Sequence, residues 1–596
     1  MTPPKIQAIP PHPGDSDITT HHPQRITTRL LAEALSRNGL LVWADPLPQG
    51  FKVSKPADAS PPDRRLLLTT SSKACGPDSC FIMFKGTRTD SHDFAADAFL
   101  RGCRVFIGDH EARMGEIKKN LSALPQENLS TNFELFCVTN ARAAWAVLEA
   151  QANGNPQQHL KFAAVTGTNG KTSTVWLLKG LLDQIALAAP PGPGRLAPAL
   201  APSMLSIGTL GMYFKNQFVP TTHTSPDPDF LYPALAHALS TEANCCGMEV
   251  SSHSLAQEKI WPICFDFAAF TSFSRDHLDF HGTEANYFAT KVKLFQKQLS
   301  NQARIALHQS VAGRVQQSLA TMPGDSWVYG MDLPAQSWPG WNQIAATTVG
   351  ESPQGTAIEL VVRPLDGAEL KFQGTIPVFG DVFVENFMAA FLAAHKLAGL
   401  WPEAALWSQL KPVPGRMELV AAPQKADEKA DEKALVLTPP PIPLVFVDYA
   451  HTPDALSQVL GFAKKIADSR KSNLWCVFGC GGDRDRGKRP LMAAACSALA
   501  NTVVVTSDNP RSENPEHILD EIVAGFAEDY RLLNVHRVCD RQAAIAYAVS
   551  NASSLDVIVI AGKGHETYQE IAGKKLPFDD RIFAQNALGK LKAPPK

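Results

Sequence analysis

The chain has 596 residues, with 56 basic and 58 acidic side chains and a formal net charge of −2, so it has room for several domains. This balance excludes a protein that binds nucleic acid or a membrane surface mainly through charge. No apolar run approaches the ~18 residues of a membrane span, and the N-terminus lacks the apolar core of a signal peptide. The 11 cysteines lack C-x₂-C metal spacing and are expected to be buried, reduced thiols of a cytoplasmic protein.

The first part of the chain is predicted to be an extension followed by an α/β domain. Residues 1–25 are rich in proline and histidine and are expected to be disordered. Residues 26–158 hold helix and strand patterns and are expected to form one domain that ends in the linker 152–156. Its predicted helices are 28–36, 93–101 and 140–149, and its predicted strands are 65–69 and 103–107.

A glycine-rich turn, Gly-Thr-Asn-Gly-Lys-Thr-Ser at 167–173, joins a strand pattern to a helix pattern. The glycines let successive backbone N–H groups point at phosphate oxygens, and the start of the helix adds the positive end of its dipole. Lys171 can reach the β- and γ-phosphates, and the Thr172 hydroxyl can bind Mg²⁺. Val165 replaces the first glycine of the usual motif. The turn is therefore a short P-loop, and it predicts an enzyme that uses ATP or GTP.

Strand and helix patterns alternate through residues 159–411, which predicts a central domain with a mostly parallel sheet. The segment 189–202 is dense in proline and alanine and is expected to be a mobile surface loop. The predicted strands of this domain are 162–166, 244–250, 266–272 and 304–307.

A third α/β region is predicted at 412–596, after a boundary near 411–415. Its five apolar runs are continuous rather than alternating, which is typical of strands buried on both faces. Residues 420–443 contain an Ala-Asp-Glu-Lys repeat and several prolines, and are expected to be a solvated low-complexity insert. The predicted strands are 444–448, 474–479, 502–507, 533–538 and 557–561.

Two polar clusters follow predicted strands of the central sheet. Glu249 ends one strand, and His277 lies in the segment 274–282 after another. The carboxyl ends of parallel strands meet at one edge of a sheet, which is also the edge that carries the P-loop. A carboxylate there can hold Mg²⁺, and a neutral imidazole can hold a second cation. Each residue alone is equally compatible with a structural hydrogen bond, whereas the combination with a P-loop favours a catalytic site.

Seven different motifs follow one another along the chain, at 167–173, 248–253, 274–279, 415–418, 448–454, 479–485 and 561–566. Together they resemble the Mur ligase family of peptidoglycan synthesis, most of all the members that add the third residue of the peptide. The resemblance implies an N-terminal α/β domain that binds UDP, a central P-loop ATPase domain, and a C-terminal Rossmann-like domain that binds an amino acid.

The resemblance further implies an amide-forming ligase with ATP as co-substrate and Mg²⁺ as cofactor. ATP would phosphorylate a substrate carboxylate, and an amine would attack the acyl phosphate. By the family pattern, Thr172 and Glu249 serve one Mg²⁺, and His277 serves a second together with a carbamylated Lys291. A lysine in a helix is ordinarily solvated, so only the resemblance gives Lys291 this role. The implied catalytic residues are Lys171, Glu249, His277 and Lys291.

The implied nucleotide site lies between the central and C-terminal domains. It uses the whole glycine-rich turn and four residues from other segments, for which interdomain packing is the alternative. The set is Gly167, Thr168, Asn169, Gly170, Lys171, Thr172, Ser173, Asn386, Arg416, Asp448 and His451.

The segment Asp-Asn-Pro-Arg at 508–511 resembles the selector of the members that add meso-diaminopimelate. From the residues alone, an ordinary turn after a strand is the alternative. Arg511 offers a planar fork for a carboxylate, and Asn509 can both donate and accept, which suits an amino-acid head group. The resemblance adds Glu566 as the partner of the ligand's ammonium. The implied diaminopimelate site is Arg484, Asp508, Asn509, Arg511, Gly562 and Glu566.

The second substrate implied by the resemblance is UDP-N-acetylmuramoyl-L-alanyl-D-glutamate, and here the chain departs from the family in places. Lys259 replaces the usual arginine, and Ser-Ser-Lys at 71–73 replaces Asp-Ser-Arg. These changes keep the site but alter its details. The implied contacts are Ser72, Thr224, Ser225, Ser251, Gln257 and Lys259.

Three other functions stay open: a lysine-adding ligase of the same family, a ligase similar to folylpolyglutamate synthase, and a non-catalytic ATP-binding protein. The lysine-adding ligase would differ at 508–511, and the folate enzyme would not need that segment. A non-catalytic protein would tolerate changes at Lys171, Glu249 and Lys291. The expected partners are small-molecule substrates rather than nucleic acid or a membrane, and the expected state is a monomer.

Overall fold

The computed structural model of the protein describes residues 25–41, 65–86, 89–124, 133–188, 201–215, 217–335, 337–352, 354–421 and 442–591. The predicted extension 1–25 lies outside the described residues apart from Arg25. Most of the segments 189–202 and 420–443 lie outside them as well. The states expected for these three segments, and the domain boundaries expected from the sequence, stay predictions.

The N-terminal sheet lies within residues 26–152. In chain order its elements are β1 (Ile26–Thr27), α1 (Thr28–Arg37), β2 (Arg65–Thr69), β3 (Ser79–Met83), α2 (Ala95–Leu100), β4 (Val105–Gly108), α3 (Glu111–Ser122), β5 (Glu134–Cys137) and α4 (Ala141–Ala152). The five strands stand in the order β1-β2-β3-β4-β5, and all neighbours except β1 and β2 are parallel. Helices α1 and α4 cover one face, and α2 and α3 cover the other.

The central region carries the largest sheet. Its elements are β6 (Lys161–Thr166), α5 (Lys171–Ala188), β7 (Met204–Gly208), β8 (Gly211–Phe214), β9 (Gln217–Val219), α6 (Pro228–Ser240), β10 (Cys245–Glu249), α7 (Ser252–Ala256), β11 (Phe265–Phe270), α8 (Leu278–His281), α9 (Glu284–Lys297), β12 (Leu299–His308), α10 (Gln309–Ser318), β13 (Asp325–Met331), β14 (Asn342–Ser352), β15 (Gly355–Arg363), β16 (Leu370–Ile376) and α11 (Asp381–Ala398).

The eleven strands stand in the order β16-β15-β14-β13-β12-β11-β6-β10-β7-β8-β9. The run from β14 to β7 is parallel, and only the outer strands at each edge pair antiparallel, which confirms a mostly parallel sheet. Helices α5 and α11 pack on one face, and α6, α7, α9 and α10 pack on the other. The central strands are buried on both faces, as their continuous apolar runs require.

The C-terminal sheet follows. Its elements are β17 (Glu418–Leu419), β18 (Leu444–Asp448), α12 (Pro453–Ser469), β19 (Leu474–Phe478), α13 (Lys488–Ser497), β20 (Thr502–Val505), α14 (Pro515–Val523), α15 (Glu528–Asn534), β21 (Val535–Arg537), α16 (Arg541–Asn551), β22 (Val557–Ala561), β23 (Tyr568–Ile571), β24 (Lys574–Pro577) and α17 (Asp580–Lys590). Six strands stand in the order β17-β18-β22-β19-β20-β21, with only β17 antiparallel, and β23 and β24 form a separate hairpin.

One strand prediction in this sheet is confirmed only in part. The sequence predicts a strand buried on both faces at 533–538, but α15 includes Leu533 and the strand β21 has only three residues. β21 is the edge strand, so one side has no neighbour to pair with. Leu532 and Leu533 are 75% and 80% exposed, whereas Val535 and Val538 are partly buried against the core. The other four strands and the α/β fold class are confirmed.

All cysteines lie among the described residues, and all are free thiols. Eight are buried as expected, whereas Cys264 is exposed and Cys137 and Cys539 are half-buried. None of the helices in the described part of the chain combines the length and the apolar character needed to cross a membrane.

Candidate active site

The glycine-rich turn lies between β6 and α5, at the carboxyl edge of the central sheet. Gly170 has a φ of 89°, and a Cβ there would collide with the side-chain oxygen of Asn386, so this position requires glycine. Asn386 comes from α11, which places this predicted nucleotide residue directly against the turn. Lys171 opens α5, and its Nζ donates to the carbonyl oxygens of Gly167 and Thr168 at 2.9 and 2.8 Å.

Glu249 ends β10 and lies beside the P-loop, as the sequence predicts. The Thr172 hydroxyl donates to Glu249 Oε2 at 2.9 Å. Thr209, which follows β7, holds the same carboxylate with its N–H at 2.7 Å from Oε1 and its hydroxyl at 3.1 Å from Oε2. Burial raises the pKa of Glu249, while the nearby Lys171 opposes that shift. Two oxygen-bearing side chains of the predicted Mg²⁺ site are therefore in contact.

Lys291 lies on the buried face of α9 and is 1% exposed. Its Nζ donates to the carbonyl oxygen of Gly167 at 2.7 Å and lies 4.7 Å from the centre of the Tyr287 ring. Burial, and then the positive charge of Lys171, lower the pKa of Lys291 well below its ordinary value. Burial also lowers the pKa of Lys171. The two lysines thus share one P-loop carbonyl in a setting that disfavours a second positive charge.

His277 precedes α8 and has a φ of 52°, a conformation that few residues other than glycine adopt. Its Nε2 lies 3.4 Å from Asp276, and its ring packs edge-on against His253 with 5.0 Å between ring centres. Burial lowers the pKa of His277 to about 4, so the imidazole is neutral near pH 7. A neutral imidazole can act as a cation ligand.

A cleft of about 510 Å³ separates the central and C-terminal sheets and is lined by residues of both. The C-terminal wall includes Arg416, Asp448 and His451, so the structure brings these predicted nucleotide residues to the P-loop. Arg416 Nη2 donates to the Thr172 hydroxyl at 3.4 Å. The two Asp448 carboxylate oxygens accept backbone N–H groups of Met417 and Ala450, each at 2.7 Å, so Asp448 also orders its own wall.

A second cluster lies in the C-terminal region, where 508–511 meets 561–566. Asn509 Nδ2 donates to Glu566 Oε2 at 2.9 Å. Asn509 Oδ1 accepts from Lys563 Nζ at 3.0 Å and from the Glu570 N–H at 2.9 Å. Asp508 Oδ1 lies 3.5 Å from Lys563 Nζ. From its side chain, Asn509 is expected both to donate to and to accept from an amino acid. Its oxygen already accepts from two protein donors, so only an N–H is left for a ligand.

Arg511 lies at the rim of this cluster with a φ of 52°. Its Nη1 donates to the Gly482 carbonyl oxygen at 2.6 Å, and its Nε lies 3.4 Å from Glu570 Oε2. Arg484 is exposed on the loop that contains Gly482. A Cβ at Gly562 would lie 3.1 Å from Asp508 Oδ2, which leaves little room for a larger residue there. The residues predicted to bind diaminopimelate therefore lie in one region of the C-terminal domain, with Arg484 and Arg511 on its outer side.

The loops 479–487 and 508–513 are joined through their backbones as well as their side chains. A Cβ at Gly482 would collide with the Pro510 carbonyl oxygen, so the two chains approach as closely as glycine allows. Beneath them Arg489 is fully buried, and donates to Glu513 at 2.9 and 3.0 Å and to Glu521 at 2.7 Å. Its Nη2 also donates to the Gly481 carbonyl oxygen at 3.3 Å.

Three predicted contacts of the nucleotide-sugar peptide lie next to Glu249. Thr224 Oγ1 lies 3.2 Å from Thr209 Oγ1, and the Ser225 hydroxyl donates to the Glu249 carbonyl oxygen at 2.9 Å. Ser225 in turn accepts the Ser251 N–H at 3.1 Å.

The other three predicted contacts are more distant in the fold. Gln257 ends α7, and Lys259 Nζ lies 2.5 Å from Asp227 Oδ1. Ser72 begins a short 3₁₀ helix, Ser72–Ala74, in the N-terminal sheet region and hydrogen-bonds to Asp97. Ser72 is thus placed with the N-terminal sheet, apart from the P-loop cluster.

Sequence reasoning missed three residues of these clusters. Thr209 follows the strand β7, which neighbours β10, so the rule that strand carboxyl ends share an edge could have found it. His253 stands in a motif already recognised, but nothing in the sequence shows that its ring packs on His277. Lys563 stands in the recognised motif 561–566, but nothing in the sequence shows that it donates to Asn509, which is 54 residues away.

Comparisons with known proteins give consistent results. The family model for the Mur ligase middle domain matches residues 165–394, and the model described as Mur ligase, glutamate ligase domain matches residues 435–564. A relative from Acidovorax sp., named UDP-N-acetylmuramoyl-L-alanyl-D-glutamate--2,6-diaminopimelate ligase, is 35% identical over 525 residues, which are 88% of this chain and 94% of the relative.

A protein of the same name from Ralstonia nicotianae is 40% identical over 433 residues, which are 72% of this chain and 76% of the relative. A solved structure of a UDP-N-acetylmuramoyl-L-alanyl-D-glutamate--2,6-diaminopimelate ligase is 29% identical with a TM-score of 0.55, and the match covers 90% of this chain and 97% of that chain.

Proposed function

The chain belongs to the Mur ligase family, and from that premise we propose that it joins meso-diaminopimelate to UDP-N-acetylmuramoyl-L-alanyl-D-glutamate at the expense of ATP. The observation that carries this proposal is the cleft in which the P-loop and Glu249 face Arg416 and His451 from the C-terminal sheet. Relatives that cover most of the chain bear the name of this activity. The reaction belongs to the synthesis of peptidoglycan precursors, and we expect the enzyme to act as a monomer on small-molecule substrates.

The reaction forms an amide through an acyl phosphate. A carboxylate oxygen of the D-glutamate attacks the γ-phosphorus of ATP, and ADP leaves. The amine of diaminopimelate then attacks the acyl carbon, loses a proton, and displaces inorganic phosphate. The protein contributes position and charge: the 167–173 backbone and Lys171 hold the phosphates, and Arg416 reaches the same place from the other wall.

The residues around Glu249 fit Mg²⁺. Magnesium prefers oxygen ligands, and here a hydroxyl and a carboxylate lie 2.9 Å apart. Burial raises the pKa of Glu249, so a cation beside it would stabilise the ionised form. No group of three or more His, Cys, Asp or Glu side chains able to hold a metal occurs among the described residues, so Thr172 and Glu249 would share the ion with phosphate oxygens. When bound, Mg²⁺ supplies positive charge to the phosphates.

The burial of Lys291 supports the proposal that it is carbamylated. Carbamylation joins its neutral Nζ to the carbon of CO₂ and releases one proton, and burial favours the neutral amine that this reaction needs. The product is a carboxylate-like group in place of an ammonium. With the neutral His277 it would provide a second cation site beside the P-loop, and it would also remove the repulsion between Lys291 and Lys171.

Selection of diaminopimelate rests on the 508–511 cluster. Asn509 is left with an N–H to donate, Arg511 carries a guanidinium at the rim, and Glu566 supplies a carboxylate. These groups complement a substrate end that carries one carboxylate and one ammonium. Lysine lacks the distal carboxylate and would lose the charge-assisted hydrogen bond with Arg511, whose other contacts are to Gly482 and Glu570, and this loss costs about 1–3 kcal/mol. The alternatives of a lysine-adding, folate-type or non-catalytic protein are less well supported.

The test is phosphate release by the purified protein with ATP, Mg²⁺ and UDP-N-acetylmuramoyl-L-alanyl-D-glutamate. Meso-diaminopimelate is added to one sample and L-lysine to another, and the products are identified by mass. We expect phosphate and a tripeptide product only with diaminopimelate. Product with lysine alone would overturn the assigned substrate, and no product with either would overturn the ligase assignment.

A further inference from the structure

Lys563 is a fully buried lysine with its ammonium group in the amino-acid cluster. Its Nζ lies 3.0 Å from Asn509 Oδ1, 3.0 Å from Glu566 Oε2 and 3.5 Å from Asp508 Oδ1. An ammonium has three N–H donors and no acceptor. Two of these donors form hydrogen bonds, with Asn509 and Glu566, and the contact with Asp508 is a longer ion pair. Because the side chain is fully buried, its ammonium is not open to a substrate. Lys563 can act on the reaction only through the residues it holds.

The first consequence concerns the side-chain amide of Asn509. An amide oxygen has two lone pairs, and here they accept from Lys563 Nζ and from the Glu570 N–H. The amide nitrogen donates one hydrogen to Glu566 Oε2 and keeps the other. Because a cation lies on one side of the amide and a carboxylate on the other, the reverse orientation is excluded. Asn509 is thereby fixed as a donor, which is the polarity needed to bind a carboxylate.

The second consequence concerns charge. Asp508 and Glu566 bring two negative charges to the cluster, and Lys563 cancels one of them. Arg511 and Glu570 form a neutral pair at 3.4 Å at the rim. The interior therefore presents one net negative charge, which matches one substrate ammonium. If the interior had two net negative charges, it would repel the carboxylate of the same substrate end more strongly.

We propose that Lys563 is the positioning residue that makes this cluster selective for a substrate end with both an ammonium and a carboxylate. It does so by fixing Asn509 as a donor and by reducing the local charge to one. The inference rests on the proposed function, since it names the residue that sets substrate choice in that site. It adds to the residues of the 508–511 segment a lysine that contacts no substrate.

The test compares Lys563→Met with the parent enzyme, using diaminopimelate and L-lysine as substrates. Methionine keeps the length and apolar stem and removes the charge. We expect KM for diaminopimelate to rise about tenfold or more, KM for ATP to stay within about twofold, and the preference for diaminopimelate over lysine to fall about tenfold. Lys464→Met is the matched control, because Lys464 pairs with Asp468 on the surface of α12 at 2.9 Å; it should leave all three quantities unchanged.

A charge-compensated double variant separates positioning from general stability. Glu566→Gln in the Lys563→Met background restores one net negative charge, so the double variant should lose less than the product of the two single losses. Lys563→Gln gives a second neutral variant with a polar end, and the same loss of preference is expected. Equal losses with both amino acids, a matching rise in KM for ATP, or independent effects in the double variant would overturn the proposal. A parent enzyme inactive with diaminopimelate would instead overturn the proposed function.

Discussion

The nucleotide cleft and the amino-acid cluster differ in how the protein stabilises their buried polar groups. In the cleft, Glu249, Lys171 and Lys291 are buried with pKa values shifted toward their neutral forms. In the cluster, the Asn509 amide has protein partners for its oxygen and for one of its two N–H groups, and the Lys563 ammonium donates to Asn509 and Glu566. In the cleft, charged ligands are therefore needed to stabilise the ionised forms of the protein groups. In the cluster, the protein groups already stabilise one another before a ligand binds.

This difference indicates what ligand binding changes at each site. Phosphates and a cation bring charges to the cleft, so binding there changes the protonation of the protein groups. The cluster receives an amino acid of fixed charge pattern, so rigidity serves selectivity. Variants should thus impair catalysis most strongly in the cleft and substrate choice most strongly in the cluster.

The largest effect is expected for Lys171→Ala. Loss of the phosphate-reaching ammonium should lower kcat by about 10³-fold or more, because catalysis in the cleft is mainly charge stabilisation. Thermal unfolding should be unchanged, since burial already disfavours the charge of this lysine. Phosphate release measures the loss. Lys179→Ala on the same helix, where Lys179 pairs with Asp183 at 2.8 Å, is the control and should stay active. Undiminished turnover in Lys171→Ala would contradict the P-loop assignment.

Lys291→Ala comes next and should reduce activity about 10²-fold or more. Short carboxylic acids added to the assay should restore part of it, because they can replace the carbamate. The measurement is turnover as a function of acetate or formate concentration. The control is Lys293→Ala, on the side of the same helix that lines a surface groove. Its activity should equal that of the parent enzyme, with or without added acid. Full activity of Lys291→Ala without added acid would count against a carbamate.

In the cluster, Arg511→Lys should change recognition rather than chemistry. Lysine keeps the positive charge but loses the planar fork, so KM for diaminopimelate should rise about tenfold. KM for ATP should stay within about twofold, since the cleft is untouched. Steady-state kinetics with each substrate varied in turn make the comparison. A similar rise in both constants would refute the role of Arg511 in selection.

The smallest effect on activity is expected from a buried carboxyl outside both sites. Burial, helped by the negative charge of Asp229, raises the pKa of Glu149 to about 8 from its ordinary value of 4.5. The folded state then binds this proton more tightly than the unfolded state, so the contribution to stability is complete below about pH 4.5 and is lost as the pH rises toward about 8. Glu149→Gln should remove that dependence.

Glu149→Gln keeps an oxygen for the Trp145 indole N–H, which donates to Glu149 Oε1 at 3.3 Å. Each unit of pKa shift corresponds to about 1.4 kcal/mol, so the expected gain at about pH 8 is on the order of 2–4 kcal/mol, with little change near pH 4. Thermal unfolding at the two pH values measures it, and ligase activity should be unaltered. Glu116→Gln, an exposed residue paired with Arg113, is the control. The inference about Glu149 would be contradicted if Glu149→Gln were no more stable than the parent protein at about pH 8.

The sequence predicts the nucleotide side of the molecule well because its information is local. The turn 167–173 sits between a strand and a helix, and the carboxyl ends of parallel strands meet, so Glu249 and His277 fall near Lys171. Edge strands are less predictable, as 533–538 shows, because burial depends on neighbours that the local pattern does not contain.

The amino-acid side is less predictable because its properties arise from contacts between distant segments. The sequence indicates that Asn509 can donate and accept, but only the fold shows that Lys563 and Glu570 occupy its oxygen. The same fold buries Lys563 completely and turns it into an internal cation held by Asn509, Glu566 and Asp508. Hydrogen-bond polarity is decided by the partners, and the partners are fixed only when the chain is folded.

The contact between Gly482 and Pro510 has a practical consequence for anyone who wishes to redesign this enzyme for another amino acid. If 508–513 alone were replaced, the new loop backbone would have to fit against the unchanged Gly482. The residue at position 513 would also have to pair with the unchanged Arg489. The transplantable part is therefore the pair of loops, 479–487 and 508–513, moved as one piece. The proposed selector is therefore made of two separate stretches of chain.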